Sequence, residues 1–343
     1  MDKGTLITLV ILGLAAGLGL HPGSSAADGD PSLPFSDTPY YLADDIAAYR
    51  SFMMSGGPPL DGIPAIDDPR FIDADEADMD PGEMVIGFYH EGEARAYPQL
   101  IVVQHEIVND EVGGLAVAIT YCPLTATAQG FRRGDTTLGV SGQLLNSNVV
   151  MFDRETRSYF SQIAGTGIRG EHEGRTLDEV NLIWTTWERW RSAHPDTKVL
   201  SERTGHLRNY NRDPYGSYNP VGGYYALDGT IFPLMHTSDR HHDKEMVVGG
   251  RTSQQAVYFV LAELRRDEIQ HTDDFVGVYD PIYDTGYIYE TGGMEVDVTP
   301  LGDGRYGVDG EGYAAADLPL ESVIPVEAFH FAWHAFYPES QRP

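Results

Sequence analysis

Hydrophobic and polar positions alternate along much of the chain, and this pattern predicts a protein built mainly from β-strands. Between residues 84 and 152, short apolar or alternating segments rich in β-branched and aromatic residues are separated by turn sequences that contain Gly, Asn and Asp. The strands predicted in this region are 84–89, 93–97, 105–108, 115–121, 128–132, 138–140 and 149–152.

Helical periodicity is restricted to a few short segments. One lies around 44–54, and another lies near 326–336. A third begins after Thr185, which has the spacing of a capping box with Glu188, and ends before Pro195. Strands therefore dominate, and we predict a β-rich α+β fold with few short helices.

One sequence pattern occurs twice. Residues 120–128 and 278–286 share tyrosine, proline and threonine at corresponding places, and Cys122 in the first segment corresponds to Asp280 in the second. The distance between the copies, well over a hundred residues, exceeds the roughly 20–50 residues of a solenoid repeat. We therefore predict two related lobes that arose by internal duplication, with the second lobe degenerate.

The predicted organisation has five parts. A signal peptide comes first and is followed by an N-terminal arm, and a connector rich in tyrosine and glycine joins the two lobes. The predicted ranges are 1–27 for the signal peptide, 28–83 for the arm, 84–197 for the first lobe with Cys122, 198–246 for the connector and 247–343 for the second lobe.

The first residues have the composition of an export signal. Lys3 supplies the positive start, 6–20 is a continuous apolar run, and 24–27 offers small residues for cleavage. The run is shorter than the about 20 residues that span a bilayer, although an uncleaved membrane anchor is the alternative. We expect an extracellular or cell-surface protein. Since the chain has a single cysteine, it forms no intramolecular disulfide.

The charge of the chain is strongly negative. The formal net charge is −29, and lysine occurs at only three positions. Such a composition argues against a nucleic-acid partner, because nucleic-acid phosphates would be repelled. It is typical of a protein that works in concentrated salt, where repulsion between carboxylates is screened. The alternative is an acidic secreted protein without salt adaptation.

Several ordered motifs resemble a widespread family of prokaryotic domains of unknown function, over roughly residues 56–340. The resemblance identifies the chain as an exported member of haloarchaeal type, and it implies no established activity. Many members have a second cysteine at the position of Thr125 and tryptophan at that of Phe160, so the dithiol of those members is missing. The motifs are Gly-Gly-Pro-Pro-Leu-Asp-Gly-Ile-Pro-Ala at 56–65, His-Glu-Ile-Val-Asn-Asp at 105–110, Thr-Tyr-Cys-Pro-Leu at 120–124, Ser-Gly-Gln-Leu-Leu-Asn-Ser at 141–147, Asp-Arg-Glu-Thr at 153–156 and His-Pro-Asp-Thr at 194–197.

The lone thiol is the leading candidate for catalysis. A free cysteine has a pKa of about 8.5, so Cys122 needs a neighbouring base or cation to become a nucleophile at neutral pH. His105 on the preceding strand is placed to meet it across the hairpin, and Lys244 is a second candidate for electrostatic support. Ser141 and Asn146 are candidate oxyanion donors. The alternative is that Cys122 is a small buried hydrophobe.

A soft metal ion is the other chemistry that these residue types support. Cys122, His105 and His242 are the candidate ligands, because thiolate and imidazole are common ligands of zinc and copper. His330 and His334 also have chelating spacing on a predicted helix, but no third ligand is evident nearby, and two partly buried helix histidines are the favoured explanation of this pair. No other cofactor motif occurs in the sequence.

The connector suggests a binding function instead. Tyr210, Tyr215 and Tyr218 lie among asparagines, and aromatic faces with nearby amides are typical of sites for a glycan, a peptide or a protein partner. The alternative is a connector that uses its tyrosines for packing between the lobes. The sequence therefore leaves two hypotheses open, a monothiol site acting on an unknown small molecule and a non-catalytic binding module.

Export predicts that protein isolated from its native host lacks residues 1–27 and begins near Asp28. Intact-mass measurement checks this prediction. A chain that retains its first residues and fractionates with membranes would instead show an uncleaved anchor.

Overall fold

Strands hold 40% and helices 11% of the residues in this computed structural model, which confirms the β-rich α+β class. The structure describes residues 33–343; the predicted signal peptide lies outside these residues. Both predicted lobes belong to one compact unit. Within the described range, no helix is long and apolar enough to cross a membrane.

The arm and the first lobe form three sheets, whose strand orders are β13-β3-β4-β14-β2, β12-β7-β6-β5 and β1-β8-β9-β10-β11. The strands are β1 Met54–Ser55, β2 Phe71–Asp73, β3 Met84–His90, β4 Glu93–Pro98, β5 Ile107–Val112, β6 Leu115–Cys122, β7 Thr127–Arg132, β8 Leu138–Leu145, β9 Asn148–Asp153, β10 Tyr159–Ser161, β11 Thr166–Arg169, β12 Glu179–Val180, β13 Ile183–Thr186 and β14 Lys198–Leu200.

The connector contributes the hairpin β15-β16 and a short 3-10 helix, Tyr224–Ala226. The second lobe forms the sheets β18-β17-β26, β19-β20-β21-β25 and β22-β23-β24. Their strands are β15 Gly216–Tyr218, β16 Val221–Gly223, β17 Met246–Arg251, β18 Ala256–Val260, β19 Ile269–His271, β20 Phe275–Asp280, β21 Thr285–Glu290, β22 Val298–Gly302, β23 Arg305–Val308, β24 Glu311–Ala314, β25 Glu321–Val323 and β26 Val326–Phe329.

The helices in the described residues are short, and most follow directly on a strand. Asp45 caps the first helix by accepting a hydrogen bond from the backbone N of Ala48 at 2.7 Å. The helices are α1 Ile46–Phe52, α2 Gln99–Val102, α3 Trp187–Ala193, α4 Leu261–Asp267 and α5 His330–Phe336.

The two lobes pair their strands in the same order. In the first lobe the hairpin β3-β4 takes β13 on the free edge of β3, and in the second the hairpin β17-β18 takes β26 on the free edge of β17. A helix follows the third strand in both cases, α3 or α5. The predicted duplication concerns the origin of the chain and stays a prediction, which these repeated pairings support.

A tryptophan packed on a glycine holds each of these helices to its sheet. Trp190 and Trp333 are fully buried. A Cβ atom on Gly87 would lie 2.2 Å from the Trp190 ring, and one on Gly249 would lie 2.4 Å from the Trp333 ring. Only glycine therefore allows these rings to approach the strands.

The arm is bound to the first lobe through a bulge in β8. The pairing of β8 with β9 shifts register at residues 141–142, and β1 adds to the free edge of β8. Gly142 has φ 73° there, and a Cβ atom on it would lie 2.1 Å from the carbonyl oxygen of Pro58. The arm turn at Pro58 therefore approaches β8 closely because Gly142 has no side chain.

Local details differ from the sequence predictions at three places. Residues 326–329 of the helix predicted at 326–336 form strand β26. The predicted capping box is not formed, because the cap position of α3 is Thr186, while the Thr185 hydroxyl donates to the carbonyl of Tyr283 at 2.5 Å. His105 lies before β5 rather than on it.

Gly249→Ala and Gly87→Ala should each lower the free energy of unfolding by about 1–3 kcal/mol, because the new methyl group overlaps a rigid indole ring. Gly222→Ala is the matched control, since its Cβ atom meets nothing within 4 Å; we expect a change within about 0.5 kcal/mol. Chemical denaturation of the three variants measures these effects. A neutral Gly249→Ala variant would contradict the packing argument.

Candidate functional site

The chain turns sharply just before β5, and this turn breaks the register that would bring His105 opposite the cysteine. Ile107 of β5 pairs with Thr120 of β6, and an unbroken register would place His105 opposite Cys122. Glu106 instead has φ 59°, in the left-handed region. Its charge, rather than that of His105, acts on the Cys122 thiol.

His105 is held by hydrogen bonds on both ring nitrogens. Nδ1 lies 2.7 Å from the carbonyl oxygen of Pro64, and Nε2 lies 2.7 Å from the hydroxyl of Tyr210. Burial lowers the pKa of His105 to about 4, so the ring is neutral. Because a carbonyl only accepts, Nδ1 carries the proton and Nε2 accepts from Tyr210. The Tyr210 hydroxyl accepts in turn from Thr204 at 2.6 Å.

Cys122 is buried with its thiol protonated. Its side chain is 1% exposed, and Sγ lies 3.8 Å from the carbonyl oxygen of Ser147, which can only accept. Burial, together with the negative charge that Glu106 carries once it is ionised at high pH, raises the pKa of the thiol to about 11. Both effects oppose formation of a thiolate.

Glu106 is a buried carboxyl that has neither a hydrogen-bond partner nor an ion-pair partner among the described residues. It is 9% exposed, and burial raises its pKa to about 8. An unpaired charge at this position would be costly, so the carboxyl holds its proton at neutral pH.

This carboxyl lines a pocket of about 240 Å³. One wall is the arm between Gly56 and Ile63, and another is β8 on both sides of its bulge. The connector adds Tyr215 and Phe232, and the remaining wall residues are mostly aliphatic. The arrangement is an apolar cleft with one carboxyl in its wall, which is the general form of a small-molecule site.

Lys244 is separated from the thiol by an aromatic ring. Its Nζ lies 4.1 Å from the ring centre of Tyr224 and donates to the carbonyl oxygens of Leu227 and Gly229. The Tyr224 hydroxyl donates to the carbonyl of Leu124 at 2.9 Å. Lys244 therefore holds the connector in place through carbonyl and ring contacts.

His242 lies half-exposed beside Lys244. Its Nδ1 accepts from the backbone N of Lys244 at 3.1 Å, and its Nε2 lies 3.6 Å from a carboxylate oxygen of Asp228. In the described part of the chain, no group of three or more His, Cys, Asp or Glu side chains is arranged to hold a metal ion. The soft-metal site stays a prediction.

The two candidate oxyanion donors have backbone partners. The Ser141 hydroxyl donates to the carbonyl of Val150 and accepts from the backbone N of Gln143 at 3.1 Å, so it stabilises the bulge. Asn146 donates to the carbonyl of Ala335 at 3.0 Å and accepts from the backbone N of Met235. Asn146 thus ties the first lobe to the connector and the second lobe.

Most of the connector tyrosines point inward. Tyr218 stacks on Tyr225 with ring centres 4.1 Å apart, and its hydroxyl lies 2.8 Å from that of Tyr121. Tyr225 donates to the carboxylate of Asp213 at 2.7 Å. Of the three connector tyrosines named from the sequence, Tyr215 is the one that lines the pocket.

Sequence reasoning emphasised His105 and Cys122 and gave little weight to Glu106. The sequence feature that pointed to Glu106 was its position directly before the apolar start of a strand, Ile107-Val108. The alternation of side chains along a strand cannot predict that Glu106 is buried, because the left-handed conformation of this residue breaks the alternation. A carboxylate directly before an apolar strand is the feature that would have identified Glu106.

Comparison with known proteins gives one match. A sequence profile described as "Protein of unknown function (DUF3179)" matches residues 60–340. No curated protein and no solved structure matches the chain significantly.

Iodoacetamide should leave Cys122 of the folded protein unlabelled at pH 7 and label it fully after unfolding in guanidinium, because the thiol is buried and protonated. Mass spectrometry of both samples measures the labelling. Rapid alkylation of the folded chain would show a reachable thiolate and would restore the monothiol hypothesis.

Glu106→Gln should change how stability depends on pH. The folded-state pKa of about 8 lies above the ordinary value of 4.5, so the folded chain binds the proton more tightly than the unfolded chain. Wild-type protein therefore loses stability as pH rises from about 4.5 to about 8. The variant should avoid this loss and exceed wild type by about 4 kcal/mol at pH 8, with no difference near pH 4.

Chemical denaturation in concentrated KCl at both pH values tests this expectation. Glu111→Gln is the matched control, because Glu111 is an exposed carboxylate on β5, the strand that begins directly after Glu106. Equal pH dependence in wild type and Glu106→Gln would mean that the Glu106 carboxyl is not desolvated.

Proposed function

This chain belongs to the DUF3179 family of proteins of unknown function, and we propose that this member binds a small, largely apolar molecule in the pocket beside Glu106. The proposal takes up the binding-module hypothesis and assigns the ligand to a cleft instead of the connector surface. We propose further that the protein is exported and salt-adapted, on the basis of its N-terminal composition and its net charge of −29.

The observation that carries the proposal is the convergence of separate motifs on one pocket. Gly56 and Ile63 come from the first motif of the resemblance, Glu106 from the second, Leu124 from the third and Gly142 from the fourth. These segments are far apart in sequence and belong to different elements. Packing alone does not require all of them to surround an open space.

The chemistry of the wall supports binding of an amphipathic molecule. Aliphatic and aromatic side chains remove apolar surface from water, at about 25 cal/mol per Å². The single buried carboxyl then fixes the orientation of the ligand through its polar group. Since Glu106 has no partner among residues 33–343, a ligand group that pairs with it replaces lost hydration directly.

The monothiol hypothesis has less support. Cys122 does not line the pocket, and its raised pKa of about 11 leaves very little thiolate at neutral pH. Both nitrogens of His105 are used by Pro64 and Tyr210. Neither His105 nor Lys244, the base and the cation named from the sequence, is therefore placed to activate the thiol.

Blocking the pocket should abolish ligand binding. Leu144→Trp adds a large ring to a side chain that lines the pocket; Leu301→Trp is the matched control, because Leu301 is 58% exposed on β22 of the second lobe. Ligand-observed NMR with a panel of small cyclic alcohols and amines should detect binding to wild type and to Leu301→Trp, and none to Leu144→Trp. Binding that survives in a folded Leu144→Trp variant would contradict the proposed site.

A further inference from the structure

We infer that the pocket recognises a cationic amine, with the ammonium group of the ligand paired to Glu106 and its apolar body against the aliphatic wall. This inference rests on the proposed function and names the ligand class for the same pocket.

The first step is a comparison among the buried carboxylates of residues 33–343. Glu179 pairs with Arg251, Glu327 accepts from the hydroxyl of Thr285, and Asp110 accepts from Tyr97. The other two are likewise bonded, Asp153 to the backbone N atoms that follow it and Asp280 to the backbone N of Ile282. Glu106 alone in this set lacks a donor, although it is equally buried.

The second step concerns the charge around the pocket. Among the described residues that line it, the ionisable side chains are those of Glu106 and Tyr215, and the lining contains no Lys, Arg or His. The chain as a whole carries a formal charge of −29. An anionic ligand would be repelled, and a neutral ligand could pair with the protonated carboxyl but would supply no counter-charge to its ionised form. A cation supplies both donors and charge.

The third step concerns size and shape. An apolar cavity of about 150 Å³ holds a benzene ring, and this pocket, at about 240 Å³, is larger. Aromatic rings at Tyr215 and Phe232 offer faces to an ammonium group or to the body of the ligand. The fitting class is therefore an amine with an apolar body of at least benzene size.

Binding of such an amine is linked to a proton. The free carboxyl is protonated at neutral pH, and the carboxylate that pairs with an ammonium group is not. Each amine that binds as its ammonium form therefore releases one proton from Glu106 to solvent. While Glu106 is protonated, the affinity should rise about tenfold for each unit of pH.

The experiment compares benzylamine with benzyl alcohol and with benzoate, which have similar size and different charge. Isothermal titration calorimetry of the full protein at pH 6 and pH 7, in two buffers of different ionisation enthalpy, measures affinity and proton release. We expect benzylamine to bind at least tenfold more tightly than benzyl alcohol at pH 7, benzoate not to bind, and about one proton to be released per amine.

Two variants distinguish the contribution of the Glu106 carboxyl from that of the rest of the pocket. Glu106→Gln should remove both the preference for the amine and the proton release. Glu111→Gln should keep both, because it removes only an exposed charge on β5 that does not line the pocket. Proton release by wild type provides an independent measure if Glu106→Gln fails to fold.

The failure of this inference is distinguishable from failure of the proposed function. Equal affinity for amine and alcohol, with both blocked by Leu144→Trp, would overturn the amine class and leave the pocket in place. Preference for benzoate would also overturn it. Binding of neither compound would overturn both the inference and the proposed function.

Discussion

The buried ion pair between Glu179 and Arg251 joins the first lobe to the second lobe, and the arm packs against it. Glu179 lies on β12 of the first lobe and Arg251 on β17 of the second, and both side chains are almost fully buried. Tyr40 of the arm lies against Arg251, with the guanidinium carbon 4.2 Å from its ring centre. Removing one partner would leave an uncompensated buried charge, so the pair strongly opposes separation of these parts. The connector, which ends at β17, is thereby held across the first lobe.

The same desolvation cost has a different outcome at Glu106. Glu179 regains its lost hydration through Arg251 and through Gln129 at 3.2 Å. Glu106 has no such partner in the part of the chain that the structure describes, and its pKa rises to about 8. A paired carboxylate contributes to structure, whereas an unpaired one beside open space is available to a ligand. This contrast, between two carboxylates of equal exposure, is why the site is assigned to Glu106.

A glutamate with left-handed backbone conformation occurs at the same place in both lobes, but other segments of the chain cover it only in the first lobe. Glu106 and Glu268 both have φ near 60°; the carbonyl of each accepts a hydrogen bond from a tyrosine backbone N at the end of the neighbouring strand, Tyr121 or Tyr279. Glu268 is exposed, because the arm and the connector lie over the first lobe. The left-handed turn is thus part of the scaffold in both lobes. It becomes part of a pocket only in the first lobe, where the arm and the connector cover it.

The sequence alone determined the β-rich class, most strands of the first lobe and the family, because alternation of side chains and short ordered motifs are local properties. It also named His105 and Cys122 as strand neighbours, which follows from a regular hairpin register. Only the tertiary structure decided that the left-handed turn at Glu106 breaks this register, so that the Glu106 carboxyl, and not His105, is the group that acts electrostatically on the thiol. The burial of Glu106 depends on the arm and the connector, which are distant in sequence. Since a pKa and a pocket arise from what covers a residue, no local pattern could have assigned them.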